Sequence, residues 1–465
     1  MNNLDSIYGT ILLFVITGSI IIFELRRKKE LIIDALTIFN FYFILLYTLA
    51  PLYFLLIDTE HINHWFISGF NLLRISFYVL LSYISFIVGW QMMRSKEPMV
   101  KPRRLKNTNA FVNICLLGAI IYGMSFFLFI QSFGGLKDAL MLGVQLRYGL
   151  ANVELGMTAM AMRFLPIGIL LLLVCYITIF LEHEQLNRTL WFMIMAFVAI
   201  SFVLSSLIYA GRGNIIYALL YIYISHAIYC KKINKFGVVL FIVIFPLIIF
   251  YGKQSLYSFS VGLESSVTDA ISAFHYLHDI RLTHTNTTIL TSIFHEAFHG
   301  IHSIEVSATE AGKSVPHTFF SDYFWCLLRI IPQKVVMTFT APPPTISTIN
   351  TYLLTNNFIA SSPPGIIASF IYAAGIPGVM FGMMIYGSIG SIIERTIYEW
   401  YCSSKVALAF YVTFSFIYGG YVINGDPNGL IYSIIPFILV YLFLWPFLHR
   451  YDEDMTIKNT NTLNT

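Results

Sequence analysis

Apolar segments long enough to cross a lipid bilayer constrain the fold of this chain more than any other feature of its sequence. At a helical rise of about 1.5 Å per residue, roughly 20 apolar residues span a hydrocarbon core about 30 Å thick. We count eleven such segments, at residues 6–23, 32–56, 72–93, 110–132, 158–181, 189–209, 214–230, 236–252, 364–390, 406–423 and 430–447. Only 11% of the residues are charged, against about a quarter in soluble domains. The sequence therefore predicts an all-α polytopic membrane protein with about eleven transmembrane helices.

The lysines and arginines predict the orientation of these helices, because basic residues in short loops accumulate on the cytoplasmic side. Of the 28 basic residues, those that follow spans one, three, five, seven, nine and eleven form the majority. The first span has four basic residues behind it and none before it, so we expect a retained anchor with its N-terminus outside. This orientation predicts an N-terminal bundle of eight spans (1–252), an extracytoplasmic loop (253–360), and a C-terminal bundle of three spans with a cytoplasmic tail (361–465).

The interval 253–360 is the one long polar part of the chain. It holds seven of the twelve histidines, namely His275, His278, His284, His295, His299, His302 and His317. Prolines interrupt it, the aromatic stretch 318–331 is typical of an interfacial amphipathic helix, and residues 349–358 could form a short helix. We expect a large, partly helical loop that folds back over the bilayer and carries whatever chemistry the protein performs.

Ten basic residues lie on the outer side against the general trend. They are Arg74, Lys137, Arg147, Arg163, Arg212, Lys253, Arg281, Lys313, Arg329 and Lys334. Any one of them could extend to lipid headgroups or pair with a carboxylate. As a set they indicate a site for an anionic headgroup, since guanidinium groups bind phosphate oxygens through bidentate, charge-assisted hydrogen bonds.

Residues 295–299 read HEAFH and match the HExxH pattern of zinc metallopeptidases. In those enzymes two histidines one helical turn apart bind the metal and the glutamate activates water. His302, Glu305 or Glu310 could supply a third ligand. Intramembrane metalloproteases need the motif on a spanning helix, whereas here it lies well beyond the eighth span. We therefore favour a polar helical face with catalytic or substrate-binding side chains over zinc or merely solvated histidines, and we predict no metal.

The chain resembles the Wzy-class oligosaccharide repeat-unit polymerases, which extend O-antigen, enterobacterial common antigen or capsule chains. The resemblance covers residues 133–390 and rests on the joint order of several stretches. These are Arg147-Tyr148 with Arg163-Phe164-Leu165-Pro166, the turn Ala210-Gly211-Arg212-Gly213 with Asn214-Ile215-Ile216, Gly252-Lys253 at the start of the large loop, Ile331-Pro332, and Asn350 to Gly378. The HExxH pattern is not part of the family pattern, which leaves its role open.

This resemblance implies a GT-C-like fold and a lipid-dependent glycosyltransferase in a bacterial inner membrane, with its active site facing the periplasm. Such an enzyme transfers a growing glycan from undecaprenyl pyrophosphate to a lipid-linked repeat unit and releases undecaprenyl pyrophosphate. The resemblance also implies that the enzyme needs no metal or other cofactor. Its expected partners are membrane lipids and a chain-length regulator protein, and no nucleic acid.

The chemistry of this reaction assigns roles to the polar residues. Fixed cations stabilise a leaving pyrophosphate as its charge grows, and a histidine or carboxylate takes the acceptor hydroxyl proton. The catalytic candidates are Glu296, His295, Arg212 and Arg147. The candidates for binding substrate or pyrophosphate are Arg163, Lys253, Arg281, His275, Asp279, His299 and Arg329.

Two other functions remain open. A flippase for lipid-linked oligosaccharides would also be polytopic and lined with basic residues, but it should carry charges near the middle of its helices. Spans such as 110–132 and 236–252 carry none. A membrane metalloprotease is the third reading, and sensitivity to a chelator distinguishes it from the other two.

Overall fold

The computed structural model describes residues 3–56, 69–94, 103–105, 108–147, 167–181, 188–208, 212–285, 289–328, 343–356, 362–444 and 448–450. The regular secondary structure of these residues is helical apart from one pair of three-residue strands. The helices are α1 (Asn3–Arg26), α2 (Ala35–Ile44), α3 (Ala50–Leu56), α4 (Gly69–Arg94), α5 (Thr108–Gln131), α6 (Leu136–Arg147), α7 (Ile167–Tyr176), α8 (Arg188–Ile208), α9 (Arg212–Cys230), α10 (Lys235–Glu264), α11 (Val267–Thr285), α12 (Ile289–Glu310), α13 (Ser321–Leu328), α14 (Ile346–Thr355), α15 (Gly365–Ser403), α16 (Ala407–Asn424) and α17 (Pro427–Leu444). Two π-helical segments, Leu45–Leu49 and Ile177–Leu181, continue α2 and α7.

Seven of the described helices are long and apolar enough to cross a membrane. They are Asp5–Arg26, Ala35–Leu56, Asn71–Arg94, Phe111–Gln131, Arg188–Ile208, Gly365–Ser403 and Ala407–Asn424. Shorter apolar helices at Ile167–Leu181, Ile215–Cys230, Lys235–Ile248 and Pro427–Leu442 lie at the other four predicted positions. The prediction of an all-α, multi-pass membrane protein is therefore confirmed, while the count of eleven spans and the GT-C-like fold stay predictions.

The centre of the bundle is the tight packing of α4 against α15. A Cβ added to Gly89 would lie 1.9 Å from the Met384 carbonyl oxygen, and one added to Gly387 would lie 2.3 Å from that of Phe86. The two backbones can approach this closely because both contact positions are glycine, as is common between membrane helices. Aromatic rings continue the core, and the Tyr386 and Tyr418 rings stack with centroids 4.3 Å apart.

One end of the bundle gathers the basic groups that the charge pattern assigned to the cytoplasm. The Arg94 guanidinium lies 3.4 Å from the Lys28 carbonyl oxygen, and Arg395 donates to the Arg94 carbonyl oxygen at 2.9 Å. Strand β1 (Arg103–Leu105) pairs antiparallel with β2 (Leu448–Arg450), which joins the segment after α4 to the tail. We call this the Arg27 end, because Arg27 there binds Glu24 and Asp34.

The polar interval is folded onto the opposite end of the bundle, which we call the α12 end. Helix α10 continues without interruption to Glu264, so Lys253 lies inside a helix, and the start of the extracytoplasmic interval at residue 253 stays a prediction. Arg212 is likewise the first residue of α9 and not the middle of a turn. In both cases the helical hydrogen bonds extend beyond the apolar run from which the boundary was inferred. The expected helices at 318–331 and 349–358 correspond to the shorter α13 and the shifted α14.

Helix α15 contains a kink close to the α12 end. Gly375 has φ +62° and ψ −139°, a conformation that is almost restricted to glycine, and Ala374 is also non-helical. The chain before α13 lies against this kink, where the Thr318 and Phe319 amides donate to the carbonyl oxygens of Tyr372 and Ala373. The kink therefore exposes backbone acceptors that hold the end of the polar interval against a membrane helix.

Candidate functional site

Helix α12 is the part of the polar interval that enters the hydrophobic core. Its side chains Phe298, Ile301 and Ile304 are at most 2% exposed. The Phe298 ring packs against Phe54 of α3 with centroids 4.9 Å apart. On the next face, a Cβ added to Gly300 would meet the Leu46 side chain at 2.8 Å. Since apolar residues occupy several faces of this helix, it is held by neighbours on most of its circumference.

A buried polar network fixes α12 relative to α14 and α15. The Asn350 amide donates to Ser303 Oγ at 3.0 Å and to the Ser362 carbonyl oxygen at 3.2 Å. Its own oxygen accepts from the Tyr372 hydroxyl at 3.2 Å. Asn350 and Ser303 are fully buried. A satisfied network of this kind makes the orientation of α12 specific, because any rotation would leave buried polar atoms without partners.

The first turns of α4 and the last turns of α12 form a cluster of polar side chains, which we call the Glu305 site and define as Asn71, Arg74, Glu305 and Thr309. Asn71 Nδ2 donates to Glu305 Oε1 at 2.5 Å, and Arg74 Nη2 donates to Thr309 Oγ1 at 2.9 Å. Glu305 is 9% exposed. The site lies where a predicted outer end of span three meets the polar interval.

The Glu305 site keeps unused hydrogen-bonding capacity. Glu305 Oε2 accepts no hydrogen bond from the described residues, since the Asn71 contact ends on Oε1. Arg74 Nε is buried and has no hydrogen-bond partner in the described part of the chain. A carboxylate oxygen and a guanidinium N–H are therefore both available to a third group, one as an acceptor and the other as a donor.

Burial shifts the proton affinity of the two titratable groups on this part of α12. It raises the pKa of Glu305, an effect that the hydrogen bond from Asn71 and the charge of Arg74 oppose. Burial also lowers the pKa of His302, which lies one turn before Glu305. A carboxylate with a raised pKa binds a proton more strongly than an exposed one, and burial favours the neutral form of the His302 imidazole. The arrangement suits proton transfer beside a fixed cation.

The structure describes the side chains of only some of the residues that the sequence assigns to the site. His275 is exposed on α11, and His299 is half-buried on α12. The backbones of Arg147, Lys253, Asp279, Arg281, His295, Glu296 and Arg212 lie in helices, but their side chains are outside the described residues, and Arg163 and Arg329 lie outside them altogether. The structure therefore does not test whether these residues form one site.

The HExxH motif lies on a continuous helix, as a metal site would require. No group of three metal-ligating side chains occurs among the residues whose side chains are described, and that set does not include His295 or Glu296. Whether this motif binds zinc thus stays a matter for experiment.

The Glu305 site was only partly anticipated from sequence. Arg74 was recognised as a cation against the charge rule, and Glu305 as an alternative metal ligand, but neither was assigned to a catalytic set. The available signal was a charged residue near the end of an apolar span, which marks an intramembrane functional site by default. The sequence does not indicate Thr309 as the hydrogen-bond partner of Arg74, because the two residues are more than two hundred positions apart in the chain.

Comparison with known proteins adds no assignment to this geometry. No protein-family model matches the chain, and neither the curated proteins nor the solved structures compared with it contain a significant match.

Proposed function

We propose that this protein is a Wzy-class polymerase of lipid-linked oligosaccharide repeat units. In this proposal it transfers the growing glycan from undecaprenyl pyrophosphate onto a new lipid-linked repeat at the periplasmic face of a bacterial inner membrane. The observation that carries it is the packing of α12 against α4, which puts a buried carboxyl group and a cation from a membrane helix into one cluster.

The reaction needs both kinds of group. The acceptor hydroxyl loses a proton as it attacks the anomeric carbon, and Glu305 Oε2 is an available acceptor whose pKa burial has raised. The leaving pyrophosphate gains negative charge, which Arg74 and the outer cations Arg147, Arg163 and Arg212 would stabilise more in the transition state than in the ground state. Glu296 and His295 remain alternative bases on the same helix.

The surface glycan of cells that lack this chain separates the functions under consideration. Loss of a polymerase leaves single repeat units on the surface, whereas loss of a flippase leaves none. A ladder that persists unchanged without the chain would contradict both.

The same cells test the Glu305 site when they are complemented with variants at matched protein levels. We expect Glu305→Gln and Arg74→Ala each to reduce polymerisation by about 10²- to 10³-fold, as loss of a positioned electrostatic group does in other enzymes. Arg74→Lys should rescue only in part, because lysine keeps the charge without the guanidinium fork.

Matched controls come from the same end of the bundle. Glu310 binds Ser314 one turn further along α12, and Lys313 is exposed. Glu310→Gln and Lys313→Ala should give normal ladders. Normal ladders from Glu305→Gln as well would remove the Glu305 site from the mechanism.

A further inference from the structure

A second polar site occurs at the Arg27 end, away from the Glu305 site. It is a cavity of about 150 Å³, enough for roughly five water molecules at about 30 Å³ each. The residues that line it are Glu30, Leu31, Asp34, Arg94, Ser391, Glu394, Arg395, Tyr398 and Tyr411. Acidic and basic side chains therefore line one small cavity at the polar ends of three membrane helices.

On the acidic side of this cavity, the buried carboxylate of Glu394 has one oxygen available. Both hydrogen bonds to Glu394 end on Oε1, from the Ala35 amide at 2.9 Å and from the Tyr411 hydroxyl at 2.7 Å. Oε2 accepts none from the described residues. Asp34, in contrast, is committed, because Arg27 binds both of its oxygens at 2.5 Å. Glu394 is thus a buried carboxylate that can receive a positively charged donor from the cavity, whereas Glu30, which also lines it, is exposed.

The basic side of the cavity lies at its mouth. Arg94 is exposed, and the one hydrogen bond that its guanidinium forms with the described residues is a long contact of 3.4 Å to the Lys28 carbonyl oxygen. None of the ion pairs formed among the described residues includes Arg94. Its guanidinium is therefore available to an anion at the level where the helices leave the membrane.

We propose that this cavity binds the headgroup of a phosphatidylethanolamine-type phospholipid, with the ammonium on Glu394 and the phosphate on Arg94. A buried carboxylate and an exposed cation that line the same cavity match the two opposite charges of a zwitterion with its ammonium inside. A primary ammonium has three N–H donors for Glu394 Oε2 and the neighbouring hydroxyl of Ser391, which also lines the cavity. A quaternary choline has no such donor, and a glycerol headgroup has no positive charge. The site is independent of the polymerase proposal.

The test is lipid binding to the purified full-length protein, measured by native mass spectrometry. Phosphatidylethanolamine, phosphatidylcholine and phosphatidylglycerol with identical acyl chains are titrated separately. We expect phosphatidylethanolamine to bind roughly tenfold more tightly than the other two, the difference that one charge-assisted hydrogen bond typically makes. Equal binding of the three lipids would overturn the proposal.

Variants locate the headgroup. Glu394→Gln should reduce the preference for phosphatidylethanolamine over phosphatidylcholine to less than about twofold. Glu399→Gln is the matched control, since Glu399 pairs with Arg395 at 3.4 Å and does not line the cavity. It should keep the full preference. A full preference in Glu394→Gln would overturn the assignment.

Two further experiments test the phosphate contact and the contribution of the acyl chains. Arg94→Gln changes an exposed side chain, so it tests the phosphate contact even if Glu394→Gln fails to fold. It should weaken binding of phosphatidylethanolamine several-fold, and unchanged binding would contradict the phosphate contact. Soluble phosphoethanolamine should not displace the lipid at equal concentration, because it lacks the acyl chains. Displacement would identify a site for a water-soluble ligand instead.

Discussion

At the scale of single residues, Glu305 is the group on which the proposed chemistry depends most. It lies on α12 against α4, one of its oxygens has no donor among the described residues, and the charge of Arg74 acts on it. Burial and the cation act on its proton affinity in opposite directions, with burial the larger effect. The balance between them can be changed by substitution, which makes the role of Glu305 measurable.

The pH dependence of polymerisation should report this balance. If ionised Glu305 accepts the proton, activity rises with pH through its pKa, which burial raises from its ordinary value. Arg74→Gln removes a charge that lowers this pKa, so the acid limb of the residual activity should move to higher pH. Initial polymerisation rates of the purified unmodified protein and of Arg74→Gln, measured across the acid pH range, give the position of the acid limb.

The control for this experiment is Lys313→Ala, which removes an exposed cation from the same end of the bundle. Its acid limb should coincide with that of the unmodified protein. An acid limb that stays in place in Arg74→Gln would contradict the assignment of Glu305 as the proton acceptor.

At the scale of elements, the kink of α15 determines how the polar interval is attached. The Tyr372 and Ala373 carbonyl oxygens accept from the chain before α13, next to the interruption of the helix at Ala374 and Gly375 and one turn before Pro377. In a regular helix the Tyr372 carbonyl oxygen would bind the Ile376 amide, whereas the Ala373 carbonyl oxygen would face Pro377, which has no N–H to donate. The backbone conformation of Gly375 is thus part of the architecture of the α12 end.

Gly375→Ala should destabilise the protein by about 1–3 kcal/mol, the typical cost of forcing a side chain into a backbone region of this kind. Space is not the limitation, since the added Cβ would lie 3.8 Å from the His317 ring. Gly420→Ala in α16 is the matched control, because its Cβ would meet no atom within 4 Å and its φ is not positive. Thermal unfolding in detergent measures both, and equal midpoints would contradict the argument.

The positions of the elements were more predictable from sequence than their ends. Apolar runs locate membrane helices because the bilayer excludes unpaired backbone groups, and all eleven predicted positions hold an apolar helix. The helices at Lys253 and Arg212 extend beyond the apolar runs, because a helix retains its hydrogen bonds after it leaves the hydrocarbon region and polarity no longer marks its boundary.

At the scale of the whole molecule, the two ends of the bundle carry different polar sites. The sequence predicted which basic segments share a side, and the contacts of Arg94 with Lys28 and Arg395 agree with that grouping. It could not predict the Glu305 site, since the meeting of Arg74 with Thr309 depends on which helices pack together. No periodicity or spacing in one sequence encodes that packing.

The central claim is that the protein joins lipid-linked repeat units at its α12 end. The most direct test reconstitutes the purified protein in liposomes with undecaprenyl-pyrophosphate-linked repeats as the only substrate. We predict a ladder of longer lipid-linked glycans, with one undecaprenyl pyrophosphate released for each repeat added and no loss of activity in a chelator. Glu305→Gln at equal amount should leave the single repeats almost unchanged. Recovery of only the starting repeat with the unmodified protein, or the same ladder from Glu305→Gln, would contradict the account.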